Sequence, residues 1–556
     1  MAGFVDVLLR GAILVLVSLS VGGVAWLRLV LGAEPGAKPD GATAPALRLV
    51  AASAWLAAAA QGTALLVALG AVADAHGVWP VGEFFATTFA LTALARVALA
   101  AVIGVLAGRL VTRPGGRVAW LALTTAAVVL VATSAVLSHA VARVDGRVSL
   151  LVADAVHQLA AAVWIGGLAH LVLYARRRPG VSEPHPSRVI PPTVQGEHAY
   201  PATTGAGSDT PGYARRDSAT IIRRFSNLAL ASVATLTLAG LGLTWAYVGE
   251  VPALVGTAYG VMILSKAALF VAALGLAAAN LRAVRRGTGT AAVPLIRFVE
   301  VELGLAVTVL FAAASLTSLP PAVDVTTDRA TLGEVAARFV PAAPRLTSPP
   351  VAELIAQAEP LMAPVTRREP VERAWSEYNH HWAGFFVVAM GLLAALERLG
   401  VRAARHWPLV FLGLAGFLFV RNDPRAWPLG PAGFWESLTL PDVLQHRFFV
   451  LLVIAFAAFE WSVRTGRLAA RPWGYVFPLL CAVGGGLLLT HSHAMFNLKD
   501  EFLTEVTHSP LGILGAFAGW GRWLELRLPE AGRGPGWVST ACFTAVGLVL
   551  LFYREA

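Results

Sequence analysis

The sequence contains little cysteine, little methionine and few charged residues. Of its 556 residues, two are cysteines, five are methionines and 14% are charged. Cys481 and Cys542 both fall within apolar runs, so neither a disulfide framework nor a Cys-x-x-Cys redox or metal motif is present. No Gly-x-x-x-x-Gly-Lys phosphate loop occurs, which leaves ATP-driven transport by that route without support. We expect no enzymatic activity.

Long apolar runs make up most of the chain instead. Hydrophobic residues account for 57% of the sequence, and the mean hydropathy is +0.67. A transmembrane helix needs about 20 consecutive apolar residues. We therefore predict an all-α fold, a polytopic transmembrane helical bundle of about 14 spans within a range of about 12–14. The predicted spans are centred in 11–31, 46–73, 84–107, 118–141, 148–173, 228–248, 253–280, 298–319, 382–396, 407–420, 443–460, 473–490, 509–521 and 537–553, of which 382–396, 407–420 and 509–521 are short.

Basic residues are distributed unevenly between the loops. Of the 43 lysines and arginines, 27 lie in one alternate set of loops, whereas the other set, including both chain ends, holds 14. Short cytoplasmic loops of membrane proteins carry the excess of basic residues. We predict that the first set is cytoplasmic and that both termini lie outside. The net charge of +10 reflects this topology, so no nucleic-acid partner is expected.

Two polar segments divide the predicted spans. The first is rich in Pro, Gly, Ser and Thr, a composition typical of flexible linkers, and the second opens after Pro320-Pro321 on the outer side. The predicted organisation is a five-span region over 1–176, a flexible cytoplasmic linker over 177–217, a three-span domain over 218–321, an extracytoplasmic segment over 322–378 and a six-span His-rich region over 379–556.

Histidines concentrate on the predicted outer face, where nine of the thirteen lie. The position of any single histidine could be explained by the preference of an amphipathic ring for the membrane boundary. The topology, however, is predicted from Lys and Arg alone, so the excess of histidines on one face is an independent observation. Imidazole suits copper, zinc, iron and nickel, whereas thioether sulfur selects Cu(I). The low methionine count favours ligation dominated by histidine, which also accepts Cu(II).

The densest histidine group lies in residues 490–508. If the preceding helix continues, His491 and Met495 share one face as an i, i+4 pair while His493 points away. If the helix ends near His491, all three side chains can converge on one ion. His508 opens the next apolar segment, and the hairpin between the two segments can bring it alongside. We predict a metal site here.

A shorter pattern near the start of the fifth span contains His139, Asp154 and His157. Asp154 and His157 are i and i+3 on one helix face, so the carboxylate can ligate a metal itself or orient the ring. A hydrogen-bonded pair of purely structural use is the alternative. A charged group within a span is costly, which favours a functional interpretation.

Other candidates lie at or within further spans. His380 and His381 open the ninth span, and because neighbours on a helix diverge by about 100°, at most one is expected to face a shared site. His446 begins the eleventh span and can join the same outer cluster. Charged residues near or within spans are candidates for an ion or proton path or for salt bridges: Arg96, Lys266, Glu300 and Glu302.

These residues also resemble a known family, the copper resistance protein D (CopD) family, in its long form with a C-terminal multi-span extension. The resemblance rests on short motifs in a fixed order. They are Trp164-Ile165-Gly166-Gly167, Arg224-Phe225-Ser226-Asn227, Leu264-Ser265-Lys266, Glu300-Val301-Glu302, Asn379-His380-His381-Trp382 and Leu444-Gln445-His446-Arg447.

The resemblance implies a multi-pass protein of the bacterial cytoplasmic (inner) membrane that binds a copper ion, Cu+ or Cu2+, and moves it across the bilayer for copper homeostasis or resistance. It also implies a separate periplasmic partner of the CopC type, since residues 322–378 lack the strand periodicity of a fused β domain. Two alternatives remain open: a membrane electron carrier with bis-His haem, and a non-transporting copper-loading or assembly factor.

Overall fold

The computed structural model describes residues 2–177, 218–285, 292–356, 370–468, 470–490, 499–528 and 532–555. Within these ranges the chain is all-helical and contains no strand. The predicted fold class, a polytopic helical bundle, is confirmed. The linker predicted over 177–217 lies outside the described residues, apart from residue 177.

The helices before the outer segment form two groups. Five long helices precede the linker region and three follow it, with short helices after the second and sixth long ones. In chain order they are α1 (Ala2–Ala25), α2 (Thr43–His76), α3 (Val81–Phe85), α4 (Thr88–Thr112), α5 (Arg117–Ala135), α6 (Arg147–Arg176), α7 (Ser218–Val248), α8 (Val251–Gly256), α9 (Ala258–Arg285) and α10 (Ala292–Leu316).

The second half of the chain adds two short helices in the outer segment and six further long or medium-length helices. Two additional short helices directly precede the third and fifth of these. They are α11 (Leu332–Arg338), α12 (Val351–Ala356), α13 (Pro370–Arg398), α14 (Val410–Arg421), α15 (Phe434–Ser437), α16 (Pro441–Arg464), α17 (Val476–Thr490), α18 (Lys499–Glu505), α19 (His508–Arg527) and α20 (Gly534–Leu551).

Thirteen helices in the described ranges are long and apolar enough to cross a membrane. Two of the segments predicted to be short are longer in the structure, because 382–396 lies within Pro370–Arg398 and 407–420 within Arg402–Arg421. The third, 509–521, corresponds to α19, which has 20 residues but is not among the thirteen. Its glycines and terminal charges lower its hydropathy. Because α19 packs against α10, α17 and α20, protein rather than lipid surrounds much of it.

Close helix crossings depend on glycine. A Cβ atom at Gly166 of α6 would collide with the carbonyl oxygen of Ser18 and with Gly22 on α1. In the second half, Gly485 of α17 faces Gly512 of α19 in the same way. Small residues let membrane helices approach closely where the hydrophobic effect supplies little driving force. Gly166 therefore permits the close contact between α6 and α1.

The contacts group the predicted outer residues at one end of the bundle, which we call the outer end. There Arg10 donates to Thr317 and Arg143 forms an ion pair with Asp324 at 2.8 Å. At the same end Lys499 of α18 lies 2.7 Å from the carboxylate of Glu334 on α11. This last pair joins α11 of the outer segment to α18.

The opposite end, the inner end, joins the two halves through a buried carboxylate. Glu300 of α10 accepts hydrogen bonds from Arg176 at 2.7 Å and from Arg527 of α19 at 2.8 Å. Glu300 is 7% exposed. The carboxylate of Glu300 therefore joins the two halves at the inner end of the bundle.

Candidate metal centre

Two of the predicted ligand histidines meet at the outer end of the second half. His380 lies on α13 and His508 begins α19, and their ring centroids are 6.4 Å apart with an angle of 72° between the planes. The two residues are 128 positions apart in the sequence. Two imidazoles from different helices therefore form a pair, which we call the outer histidine pair.

The hydrogen bonds of this pair assign the protons on each ring. Nδ1 of His380 lies 2.8 Å from the carbonyl oxygen of Ser376, and Nδ1 of His508 lies 3.2 Å from that of Glu505. A carbonyl oxygen only accepts, so each Nδ1 carries the proton and each neutral ring has its lone pair on Nε2. Metal-binding histidines typically donate their other ring N–H to a carbonyl or carboxylate in this manner.

Residues 553–555 cover one side of the pair. The ring of Tyr553 stacks on His380 with centroids 4.1 Å apart, and its hydroxyl donates to the carboxylate of Glu555 at 3.1 Å. That carboxylate also accepts from the hydroxyl of Ser376, and Glu555 is 5% exposed. Sequence reasoning missed both Tyr553 and Glu555. No local motif marks them, because their role depends on the packing of α20 against α13.

His381 is fully buried and its two ring nitrogens are both used by backbone groups. Nδ1 accepts from the backbone N–H of Arg345 at 2.6 Å, and Nε2 donates to the carbonyl oxygen of Tyr553 at 2.7 Å. This arrangement leaves no lone pair for an ion. Of the adjacent pair 380–381, the structure therefore favours His380 as a ligand and gives His381 a structural position.

His446, at the start of α16, has a carboxylate partner of its own. Nδ1 lies 2.8 Å from Oδ1 of Asp423, which follows α14, and the side chain of His446 is 43% exposed. A carboxylate that holds one ring nitrogen orients the other for metal binding. Asp423 is a third residue that sequence reasoning missed. Its position two residues after Arg421, at the predicted outer end of a span, is the signal that could have indicated it.

A second group of polar side chains lies at the outer end of the first half. Nε2 of His139 lies 3.5 Å from the carbonyl oxygen of Leu316, and its ring makes edge contacts with Tyr247 and Tyr259 at 6.2 Å each. Burial lowers the pKa of His139. The ring is therefore held in the neutral form, which is the form that binds metal.

Asp154, His157 and Lys266 continue this group toward the middle of the bundle. Asp154 accepts from the side-chain amide of Gln158 at 2.9 Å, and Nδ1 of His157 lies 3.1 Å from the carbonyl oxygen of Leu236 on α7. Lys266 of α9 is half-buried within the span Ala258–Arg282. We call His139, Asp154, His157 and Lys266 the first-half polar cluster.

The remaining charged candidates have ordinary partners in the structure. Glu300 forms ion pairs with arginines, as the salt-bridge alternative predicts. Arg96 donates to the side chain of Gln61 at 3.0 Å and to the hydroxyl of Ser134. Glu302 is 3% exposed and accepts from the indole of Trp164 at 3.3 Å. These contacts favour structural roles for Glu300 and Arg96 over an ion path.

The end of α17 contacts α10 one residue from the contact made by His139. The hydroxyl of Ser315 donates to the carbonyl oxygen of Leu489 at 3.2 Å, and the next residue of α10, Leu316, contacts His139. His491, His493 and Met495 lie outside the described residues. Among the residues that are described, no three His, Cys, Asp or Glu side chains are arranged to hold one metal ion together.

The comparisons with known proteins identify one domain. Residues 219–316 match the family described as copper resistance protein D. This range contains α9 and nearly all of α7, and with them Leu236, Tyr247, Tyr259 and Lys266. No curated protein and no solved structure matches the chain. The resemblance predicted from the sequence is therefore confirmed over residues 219–316, where this multi-pass membrane protein is similar to copper resistance protein D.

Proposed function

We propose that this protein binds copper at its outer end and moves it across the bacterial cytoplasmic membrane for copper homeostasis or resistance. The family match and the membrane-spanning helices support a copper-related membrane protein in general. The outer histidine pair is the observation on which the specific proposal rests, because it brings two imidazoles from distant parts of the chain together.

Three features of the outer histidine pair favour copper binding. Both Nδ1 protons are donated to helix carbonyls, so the lone pair of each neutral ring is on Nε2, which is the proposed ligand atom. Imidazole is a good copper ligand in either oxidation state. The buried carboxylate of Glu555 supplies negative charge beside the rings, which favours a cation.

The proposed route continues from the outer histidine pair to the first-half polar cluster. His139 approaches Leu316, and the adjacent Ser315 is hydrogen-bonded to the end of α17 at Leu489. Residues 491, 493 and 495, predicted as ligands, follow that end directly in the chain. We propose that they pass copper between the two groups and that a separate CopC-like protein exchanges copper with the outer end.

Metal content of the purified full-length protein tests the binding step. We expect His380→Ala combined with His508→Ala to lower the copper bound per protein, as measured by elemental analysis. His76→Ala is the matched control, because His76 is an exposed histidine at the same predicted face whose Nδ1 also lies 2.9 Å from a helix carbonyl. Equal copper in the double variant and the control would refute the proposed outer site.

An absorption spectrum of the same sample separates the proposal from the haem alternative. We expect no Soret band and no stoichiometric iron. A strong Soret band with one or more equivalents of iron would replace the copper proposal with that of an electron carrier.

A further inference from the structure

A cavity lined by three arginines lies at the inner end of the second half, between α13, α16, α17, α19 and α20. Arg398, Arg464 and Arg522 line it together with Cys481, Thr540 and mainly apolar side chains. Its volume is about 30 Å³, which is enough for about two water-sized groups. No Asp or Glu is among the described residues that line it. We call it the three-arginine cavity, and its wall offers positive charge without a carboxylate.

Two of these arginines share one carboxylate partner, Glu525, which does not line the cavity. Arg398 donates to both oxygens of Glu525, at 2.9 Å from Nη2, and its Nε donates to the hydroxyl of Thr540 at 2.5 Å. Arg522 donates to the same carboxylate through Nη1. A guanidinium has five N–H donors. The pair with Glu525 therefore does not need the Nε and Nη2 donors of Arg522, and these can serve a ligand.

The third arginine is held in a fixed orientation on the opposite side of the sequence, at the end of α16. Nε of Arg464 donates to Glu460 at 2.7 Å, and Nη1 donates to Glu397. Its guanidinium lies over the ring of Trp407, with 4.7 Å between Cζ and the ring centroid. The side chain is 12% exposed. Arg464 is thus positioned before any ligand arrives, and its Nη2 donors are not needed for either carboxylate.

The loops around the three-arginine cavity carry an excess of positive charge. Residues 397–406, 460–472 and 522–535 contain nine arginines and four glutamates. The cytoplasmic leaflet is rich in anionic lipids, and basic pockets between membrane-spanning helices on this side bind their head groups. The planar guanidinium fork matches the geometry of phosphate oxygens. These properties together favour a phosphate group as the ligand of the cavity.

We propose that the three-arginine cavity binds a phosphate group, supplied either by the head group of an anionic phospholipid or by free phosphate. The cavity takes up two phosphate oxygens, to which Arg464 of α16 and Arg522 of α19 donate. The ligand thereby links α16 to α19 at the inner end. The inference is independent of the proposed function, since no copper ion takes part.

Titration calorimetry on the purified full-length protein in a neutral detergent tests this proposal. The titrants are dihexanoyl phosphatidylglycerol, sodium phosphate and dihexanoyl phosphatidylcholine, whose choline group balances the phosphate charge. We expect phosphatidylglycerol, sodium phosphate or both to bind saturably and more tightly than phosphatidylcholine. Phosphatidylglycerol that binds more tightly than sodium phosphate identifies a lipid head group as the ligand. Sodium phosphate that binds as tightly or more tightly identifies the free anion.

Arg522→Gln should weaken this binding by about 10-fold, the scale of one hydrogen bond to a charged group. The variant leaves Glu525 with both hydrogen bonds from Arg398. Arg402→Gln is the matched control, because Arg402 is exposed at the same end and does not line the cavity. Binding of neither phosphatidylglycerol nor phosphate by the wild type would overturn the proposal, as would equal affinities of Arg522→Gln and Arg402→Gln.

A second variant replaces Arg522→Gln if its thermal unfolding and size-exclusion profile show that it does not fold. Arg522→Lys keeps the positive charge beside Glu525 but loses the planar fork that donates to phosphate oxygens. We expect it to bind the ligand more weakly than Arg402→Gln does. Equal affinities of these two variants would refute the proposal.

Discussion

Removal of Arg527 should destabilise the contact between the two halves of the protein. Glu300 has a side chain that is 5% exposed, and it accepts two hydrogen bonds from Arg527 and one from Arg176. The side chain of Arg527 is 18% exposed, whereas that of Arg176 is 59% exposed. Arg527 is therefore the better-shielded partner. We assign to it most of the electrostatic stabilisation of the buried Glu300 carboxylate.

The expected magnitude follows from the buried charge that Arg527→Met leaves behind. Removing one partner of a buried ion pair typically costs about 3–5 kcal/mol, and because Arg176 remains, we expect a loss of about 3 kcal/mol. Combining Glu300→Gln with Arg527→Met removes the uncompensated charge. Replacement of a buried pair by neutral groups is often close to neutral, so the double variant should lie within about 1 kcal/mol of the wild type.

Equilibrium unfolding in denaturing detergent, followed by tryptophan fluorescence, measures these free energies. Arg533→Met serves as the control, because Arg533 is exposed at the same predicted face and a surface substitution should change the free energy of unfolding by less than about 0.5 kcal/mol. A double variant as unstable as the sum of both single variants would refute the reasoning, since the cost would then not arise from an unpaired carboxylate.

Three further results are expected. Gly166→Ala should lose about 3 kcal/mol through the clash with α1, whereas Gly62→Ala, where a Cβ meets open space, should gain about 0.5–1 kcal/mol; equal thermal stability of the two variants would contradict this. The hydrogen bond from Lys499 lowers the pKa of Glu334 to about 2, so its stabilisation is present above the usual pKa of the carboxyl and is lost as pH falls toward 2. The hydrogen-exchange protection of residues 332–338 should therefore decrease as pH falls toward 2. Lys499→Met should weaken this pH dependence, and an unaltered pH profile would argue against the pair. Burial lowers the pKa of His139, so protection of residues 138–146 should fall as pH drops below about 6.5, and His139→Gln should remove that dependence.

The sequence predicted most of the helices because the length of an apolar run is a local property. α19 was predicted as the short span 509–521, and its glycines and charged last turn are tolerated where neighbouring helices pack against it. The role of Gly166 was also predictable, because a glycine pair within a span indicates close helix contact. Such features depend only on a few neighbouring residues and on the helical period.

The partners of the site residues were less predictable, because they depend on long-range packing. His508 was expected near the other outer histidines from topology alone, but its neighbour could not be chosen among several. The stacking of Tyr553 on His380, and the buried carboxylate of Glu555 beside them, arise from the contact between α13 and α20.

Copper flux tests the central claim most directly. Purified full-length protein is reconstituted into sealed vesicles, and copper accumulation is followed over time for the wild type, His76→Ala and the double variant His380→Ala/His508→Ala. We predict time-dependent copper movement across the bilayer by the wild type and His76→Ala, and a rate near that of protein-free vesicles for the double variant. Copper binding by the wild type without flux would contradict transport and favour a copper-loading factor, and full flux in the double variant would contradict the role of the outer histidine pair.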